Sequence, residues 1–156
     1  MHQEPFAMGD LVLDIIVKFQ LAAEVAEIRI QHNCPRDLPL VTGDIALIDR
    51  VLDNLIENAI RHTPKGGTVA VTLQRDGNTV SATVGDNGCG IPESAMPRIF
   101  DRLYQVDSTR TTSTGHGGLG LAIVKRILDL HQQSIQVESQ PDRGTTFYFT
   151  LHVAPV

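Results

Sequence analysis

Cysteine is scarce in this 156-residue chain: Cys34 and Cys89 are the only two. Two thiols cannot build the disulfide framework of a small secreted domain, and their neighbours offer no zinc-ligand spacing. Each is expected to be a reduced thiol in the cytoplasm. Long hydrophobic runs are also missing, none approaching the ~20 residues that span a bilayer. The opening Met1-His2-Gln3-Glu4-Pro5 has neither the basic start nor the apolar middle of a signal peptide. Basic residues are outnumbered, with 13 Lys and Arg against 18 Asp and Glu and a net charge of −5. That balance argues against nucleic acid or direct membrane contact, since both call for a basic face. No internal repeat or long linker divides the chain. The expectation is one domain over residues 10–156, preceded by an extension or linker over 1–9. The 42% of residues that are hydrophobic suffice for a sizeable core.

Apolar residues at helical spacing (Leu11, Ile15, Ile16, Phe19, Ala22, Ala23, Ala26) predict an amphipathic helix from Asp10 to about Glu27. Ile28-Arg29-Ile30 alternates as a short strand, and Pro35 to Pro39 then breaks regular structure. Asp44 is placed to cap a second helix through Ile48, Leu52, Leu55 and Ala59, which Pro64 ends. Thr68–Gln74 and Thr79–Val84 alternate as strands, with Asp76-Gly77 between them as a hairpin turn. A short helical piece near Pro97–Leu103, a long helix Leu119–His131 and two strands, Ser134–Glu138 and Thr145–His152, complete the chain. The fold class is α+β, a two-layer α/β sandwich whose mixed, mostly antiparallel sheet carries helices on one face.

Three stretches carry chemistry. On the second helix Asn54, Asn58, Arg61 and His62 form a polar stripe beside the apolar one. Asn is a poor helix former, so two of them four apart are unusual for a merely solvated face. Such amides offer neutral oxygens to a metal and donors to phosphates. Asp86-Asn87-Gly88-Cys89-Gly90-Ile91-Pro92 ends a strand with a carboxylate able to accept from an exocyclic amine such as that of adenine. Its glycines let the backbone turn sharply and let a flat ligand approach. Gly115-His116-Gly117-Gly118-Leu119-Gly120 opens a helix, where free backbone N–H groups and the helix dipole attract anions. No GxxxxGK[ST] motif is present, so this is not a P-loop. Gly115, Gly117 and Gly120 formally match the dinucleotide fingerprint, but no strand is expected before them. The preceding Ser108 to Thr114 reads as a lid between two ligand-binding loops.

Taken in order, these stretches resemble the ATP-binding catalytic domain of sensor histidine kinases, within the superfamily shared with gyrase, Hsp90 and MutL. Asn54 to Pro64 is similar to the family's asparagine box, Asp86 to Pro92 to its first glycine box, and Ile99 to Tyr104 to its phenylalanine box. Gly115 to Leu121 is similar to the second glycine box, and Gly144-Thr145-Thr146-Phe147 to the family's ending. The resemblance covers about Asp10 to Leu151 and implies a Bergerat-type ATP-binding fold with ATP and Mg2+ as cofactors. It implies that Asn58 supplies its carboxamide oxygen to the metal and takes part in catalysis, with Asn54 supporting the phosphates. Arg61 would meet the phosphate chain, and His62 would lie near the adenine. Asp86 would accept from the adenine amine with Thr145 nearby through water. Gly88 and Gly90 would make room for the base, and Ile91 would line the pocket. Gly115, Gly117, Gly118, Leu119 and Gly120 would present backbone N–H groups to the triphosphate.

The phosphate-neutralising arginine would be Arg102 or Arg110, because Gln105 follows Tyr104 where an arginine often stands. In relatives that hydrolyse ATP a glutamate stands where Asn54 does here, so this site suits transfer of the phosphoryl group over hydrolysis. The implied partners are a histidine-bearing dimerisation domain of the same protein, absent from this chain, and a response regulator. The implied setting is a cytoplasmic domain of an inner-membrane-anchored sensor. Alternatives are an anti-sigma or switch-type serine kinase and a nucleotide-sensing module without transfer activity. His32, His131 and His152 are expected at the surface or at helix ends.

Overall fold

The computed structural model describes residues 1–101 and 120–156. The elements run β1 (Glu4–Phe6), α1 (Met8–Ala26), β2 (Arg29–Asn33), β3 (Val41–Gly43), α2 (Ile45–His62), β4 (Thr68–Asp76) and β5 (Thr79–Asp86). A 3-10 turn over Glu93–Arg98, α3 (Gly120–Leu130), β6 (Gln136–Gln140) and β7 (Gly144–His152) follow. Five strands form one sheet in the order β2-β4-β5-β7-β6. Only its β2–β4 pair is parallel, and the others run antiparallel. This is the mixed, mostly antiparallel sheet with helices on one face that the strand pattern predicts.

Alternation along the central strands explains the two layers. Val69, Val71 and Leu73 of β4, Val80, Ala82 and Val84 of β5, and Phe147, Phe149 and Leu151 of β7 are all buried. Their intervening neighbours stay at least partly open to solvent, as a period of two requires. The buried rows meet Ile48, Val51, Leu52, Leu55 and Ile56 of α2, Val12, Ile15 and Ile16 of α1, and Val124, Ile127 and Leu128 of α3. Each such side chain contributes roughly 1.5–3 kcal/mol of burial free energy, so this interface sustains the domain.

The N-terminal end differs from the expectation in detail. β1 pairs antiparallel with β3, Pro5 opposite Thr42, and Phe6 is buried, so regular structure begins at Glu4. α1 begins at Met8, two residues before Asp10, after an Ala7 that provides no side-chain cap. A cap of that kind leaves no mark in sequence. The short helical piece lies at Glu93–Arg98 with Pro97 inside it, upstream of the Pro97–Leu103 expectation.

At the far end of the sandwich Asp44 caps α2, its carboxylate accepting from the Leu47 amide at 3.3 Å. The Asp44 amide in turn donates to His131 Nε2 at 3.0 Å. Nε2 is therefore unprotonated, and the Nδ1 proton goes to the Ile127 carbonyl at 2.8 Å. His131 is buried with both nitrogens satisfied, so it ties the end of α3 to the start of α2. It is a helix-end residue, as expected, but not a surface one.

Candidate functional site

The site forms where three chain segments meet at one end of the sheet. Asp86 is the last residue of β5 and lies opposite Thr145 in the register of β7. Both share the parity of the buried residues in their strands (Val84 and Phe147), so both side chains point toward the helices. The Asp86 carboxylate accepts from the Gly88 amide at 2.9 Å. Removal from water pushes this carboxyl above its ordinary range, and the Gly88 and Thr145 amides pull the other way without cancelling it. A half-buried carboxylate held by backbone amides is a fixed acceptor for a ligand's amine.

Steric limits explain the glycines that follow. Gly88 is buried, and a Cβ there would collide with the His62 carbonyl oxygen at the end of α2. Gly90 has φ +75° and lies against the Gln140 backbone, so a side chain is excluded by conformation and by space. The loop is therefore clamped between α2 and the β6–β7 turn. Asn87 closes its near side, its side-chain oxygen accepting from the Thr68 amide at 2.8 Å.

Ser139, which sequence reasoning did not single out, fastens the far side. Its hydroxyl accepts from the Ile91 amide at 2.7 Å, donates to the Gly144 carbonyl at 3.1 Å and lies 2.9 Å from the Thr145 hydroxyl. The Asp142 amide adds a bond to the Cys89 carbonyl at 2.7 Å. A serine on an edge strand carries no signal at the level of sequence; only the register of β6 on β7 brings it to this loop.

Across from the sheet, α2 presents the amide stripe. Asn54 donates its amide nitrogen to the Arg50 carbonyl at 2.9 Å. Its side-chain oxygen faces the first residue of α3: a Cβ on Gly120 would stand 3.2 Å from it. The asparagine helix and the end of the second glycine loop thus meet directly. Asn58 offers its side-chain oxygen to Arg61 Nη2 at 3.3 Å. Arg61 and His62 are half-buried on the last turn of α2. Ile91 is buried and lines the side nearest Ser139. Arg102, Gly115, Gly117, Gly118 and Leu119 lie outside the described residues.

A metal would find a hard, neutral oxygen on Asn58, the donor type that Mg2+ takes alongside phosphate oxygens and water. Among the described residues no cluster of three His, Cys, Asp or Glu could hold an ion by itself. The Asn58 oxygen, a single neutral donor, fits a metal that arrives with a polyphosphate and is shared with it.

A carboxylate at a strand end, an amide-bearing helix and a helix N-terminus grouped over one edge of an α+β sandwich define a nucleotide-binding domain. Residues 43–155 match the family described as histidine kinase-, DNA gyrase B- and HSP90-like ATPase, and the chain belongs to that family. It is 36% identical over 153 residues to the adaptive-response sensory kinase SasA of Synechocystis, covering 97% of this chain and 39% of that protein. To the sensor-like histidine kinase SenX3 of Mycobacterium tuberculosis it is 37% identical over 141 residues, covering 90% and 34%. The chain thus spans about two-fifths or less of these relatives. Its fold matches the catalytic domain of histidine kinase ThkA with a TM-score of 0.85 at 26% identity, over 98% of this chain and 97% of that one. It also matches full-length ShkA in complex with AMPPNP, with a TM-score of 0.86 at 26% identity over all of this chain and 32% of that one.

Proposed function

We propose that this chain is the ATP-binding catalytic domain of a sensor histidine kinase. It binds Mg-ATP and presents the γ-phosphate to a histidine on a separate dimerisation domain, for relay to an aspartate of a response regulator. The observation that carries this reading is the register of Asp86 with Thr145 on the helix-facing side of the sheet, across from the contact of Asn54 with Gly120.

In this reading Asp86 accepts from the adenine amine, Thr145 contributes through water, and the backbone at Gly88 and Gly90 lies flat beside the base. Ile91 gives that end an apolar wall, and His62 lies over it from α2. Asn54 and Gly120 hold the phosphate chain, with Arg61 releasing the Asn58 oxygen to meet a phosphate. Mg2+, when bound through the Asn58 oxygen, neutralises the charge that develops during transfer. Asn54 has no proton-abstracting group, so no base activates water at that position and the triphosphate is kept for transfer. Gly115 to Leu119 add backbone N–H groups to the phosphates and Arg102 the remaining charge, both as the family resemblance implies. The same resemblance implies the cytoplasmic part of a larger, membrane-anchored sensor; among the described residues no helix is long and apolar enough to cross a membrane.

Labelled ATP, magnesium and a dimerisation domain supplied in trans test the reading. Acid-labile phosphohistidine on the added domain supports it. Phosphoserine, or no transfer despite tight Mg-ATP binding by calorimetry, overturns it in favour of a switch kinase or a sensing module.

A further inference from the structure

α1 is apolar on two sides. Its inner side sends Met8, Val12, Ile15 and Ile16 into the core. On the other side Leu13, Val17, Leu21 and Val25 are 40%, 72%, 71% and 78% exposed. They recur every four residues, so each turns about 40° further round the helix and stands about 6 Å further along it. Together they make a ridge about 18 Å long, centred opposite the buried side. Single exposed apolar residues are ordinary on a protein surface, but four in line are not. A helix on the outside of a sandwich normally keeps one apolar side, and one that is apolar all round is covered on both.

Charge identifies the cover. Asp10, Asp14 and Glu24 are exposed on the same side and make no ion pair among the described residues. The only basic residue of α1, Lys18, is held by Asp53 of α2 at 2.6 Å. Glu27, just past the helix, is already paired with Lys65 at 2.8 Å. The ridge is bordered by acids to which the described residues bring no counter-charge. A second copy does not supply it: antiparallel pairing that sets Val17 against Leu21 brings Asp14 against Glu24, and parallel two-fold pairing sets each acid beside itself. An anionic lipid surface repels the same border.

We propose that the outer side of α1 is a docking surface for a basic amphipathic helix of a partner protein. That helix brings apolar residues at i, i+4 spacing and Lys or Arg on its borders. Rows of i, i+4 side chains interdigitate at a crossing angle of about −50°, so the contact is a short oblique crossing centred on Val17 and Leu21.

A labelled synthetic helical peptide with a leucine ridge and lysine borders, and its twin with glutamate borders, test this by fluorescence anisotropy. The lysine peptide is expected to bind the chain saturably and at least tenfold more tightly than the glutamate peptide. The pair Val17→Asn with Leu21→Gln should weaken it at least tenfold, and Asp14→Lys with Glu24→Lys should reverse the preference between peptides. All four positions are exposed, and unchanged thermal unfolding and Mg-ATP affinity would show that the variants fold. Equal binding of the two peptides, or none, overturns the proposal. So does a dimer in sedimentation equilibrium that the Val17 and Leu21 substitutions dissolve, or adsorption to phosphatidylcholine vesicles lost in the same variants.

Discussion

Replacing Asp86 by asparagine should move stability and nucleotide affinity in opposite directions. One carboxylate oxygen of Asp86 already accepts from the Gly88 amide, so a ligand amine must use the other. The substituted carboxamide keeps its oxygen facing Gly88 and turns an NH2 group toward the ligand, donor against donor. Flipping the amide to serve the ligand would break the loop instead. The whole charge-assisted bond is therefore lost, about 1.5–3 kcal/mol. At about 1.4 kcal/mol per decade, the Kd for Mg-ATP rises by about 10- to 150-fold. Stability goes the other way. Burial lifts the folded carboxyl above its ordinary 3.8, so ionisation costs the folded state more than the unfolded one. That cost is absent below pH 3.8, where both states are protonated, and is fully present above the folded pKa. The variant should melt higher than the wild type at neutral pH, and the gain should shrink toward zero on acidification. Calorimetric titration with Mg-ATP and thermal melts followed by circular dichroism measure the two quantities. A Kd within about twofold of wild type, or a variant that loses stability and affinity together, would refute the role assigned to Asp86.

For the wild type, Mg-ATP affinity should fall as pH drops through the raised Asp86 pKa, because the protonated acid no longer accepts from the amine; the pH profile of the Asp86→Asn variant should be flat there. Ser139→Ala leaves the Ile91 amide without its partner and frees the Thr145 hydroxyl, so it should cost about 1–3 kcal/mol in denaturant unfolding and weaken ATP binding. Gly88→Ala forces a Cβ onto the His62 carbonyl and should cost about 1–3 kcal/mol with near-complete loss of nucleotide binding, read in the same two assays. His131→Ala should destabilise the domain by about 2–4 kcal/mol while leaving the Mg-ATP Kd close to wild type, because it deletes one buried and one part-buried hydrogen bond and packing far from the nucleotide.

Elements with a local chemical cause were legible in the sequence. Asp44 announces the start of α2 and does cap it, the β4–β5 hairpin turns at Gly77-Asn78, one residue beyond the expected Asp76-Gly77, and the buried rows follow the alternation. Asp86, Gly88 and the asparagine helix were visible because their residue types are costly anywhere else. What stayed hidden depends on partners distant in the chain. β1 and β3 are three residues each and gain their form from one another, so neither is long enough to show a period. The parallel pairing of β2 with β4 is set by the path of α2 across the sheet, not by either strand's own pattern. Ser139 and His131 are ordinary polar residues until register and helix packing deliver them to backbone groups far away in the chain, at Ile91 and Asp44.

The register that sets Asp86 beside Thr145 makes β7, paired on both sides, intolerant of length change. Inserting one residue within β7 would reverse which side chains face inward beyond that point, trading phenylalanines for threonines against the helices. The hairpin tip at Gly77-Asn78 is exposed, and although the Asn78 carbonyl accepts from the Val153 amide at 2.9 Å, growth there reverses no inward-facing row. Grafted tags or reporter segments therefore belong at that tip, where the nucleotide end of the sheet would not register their presence.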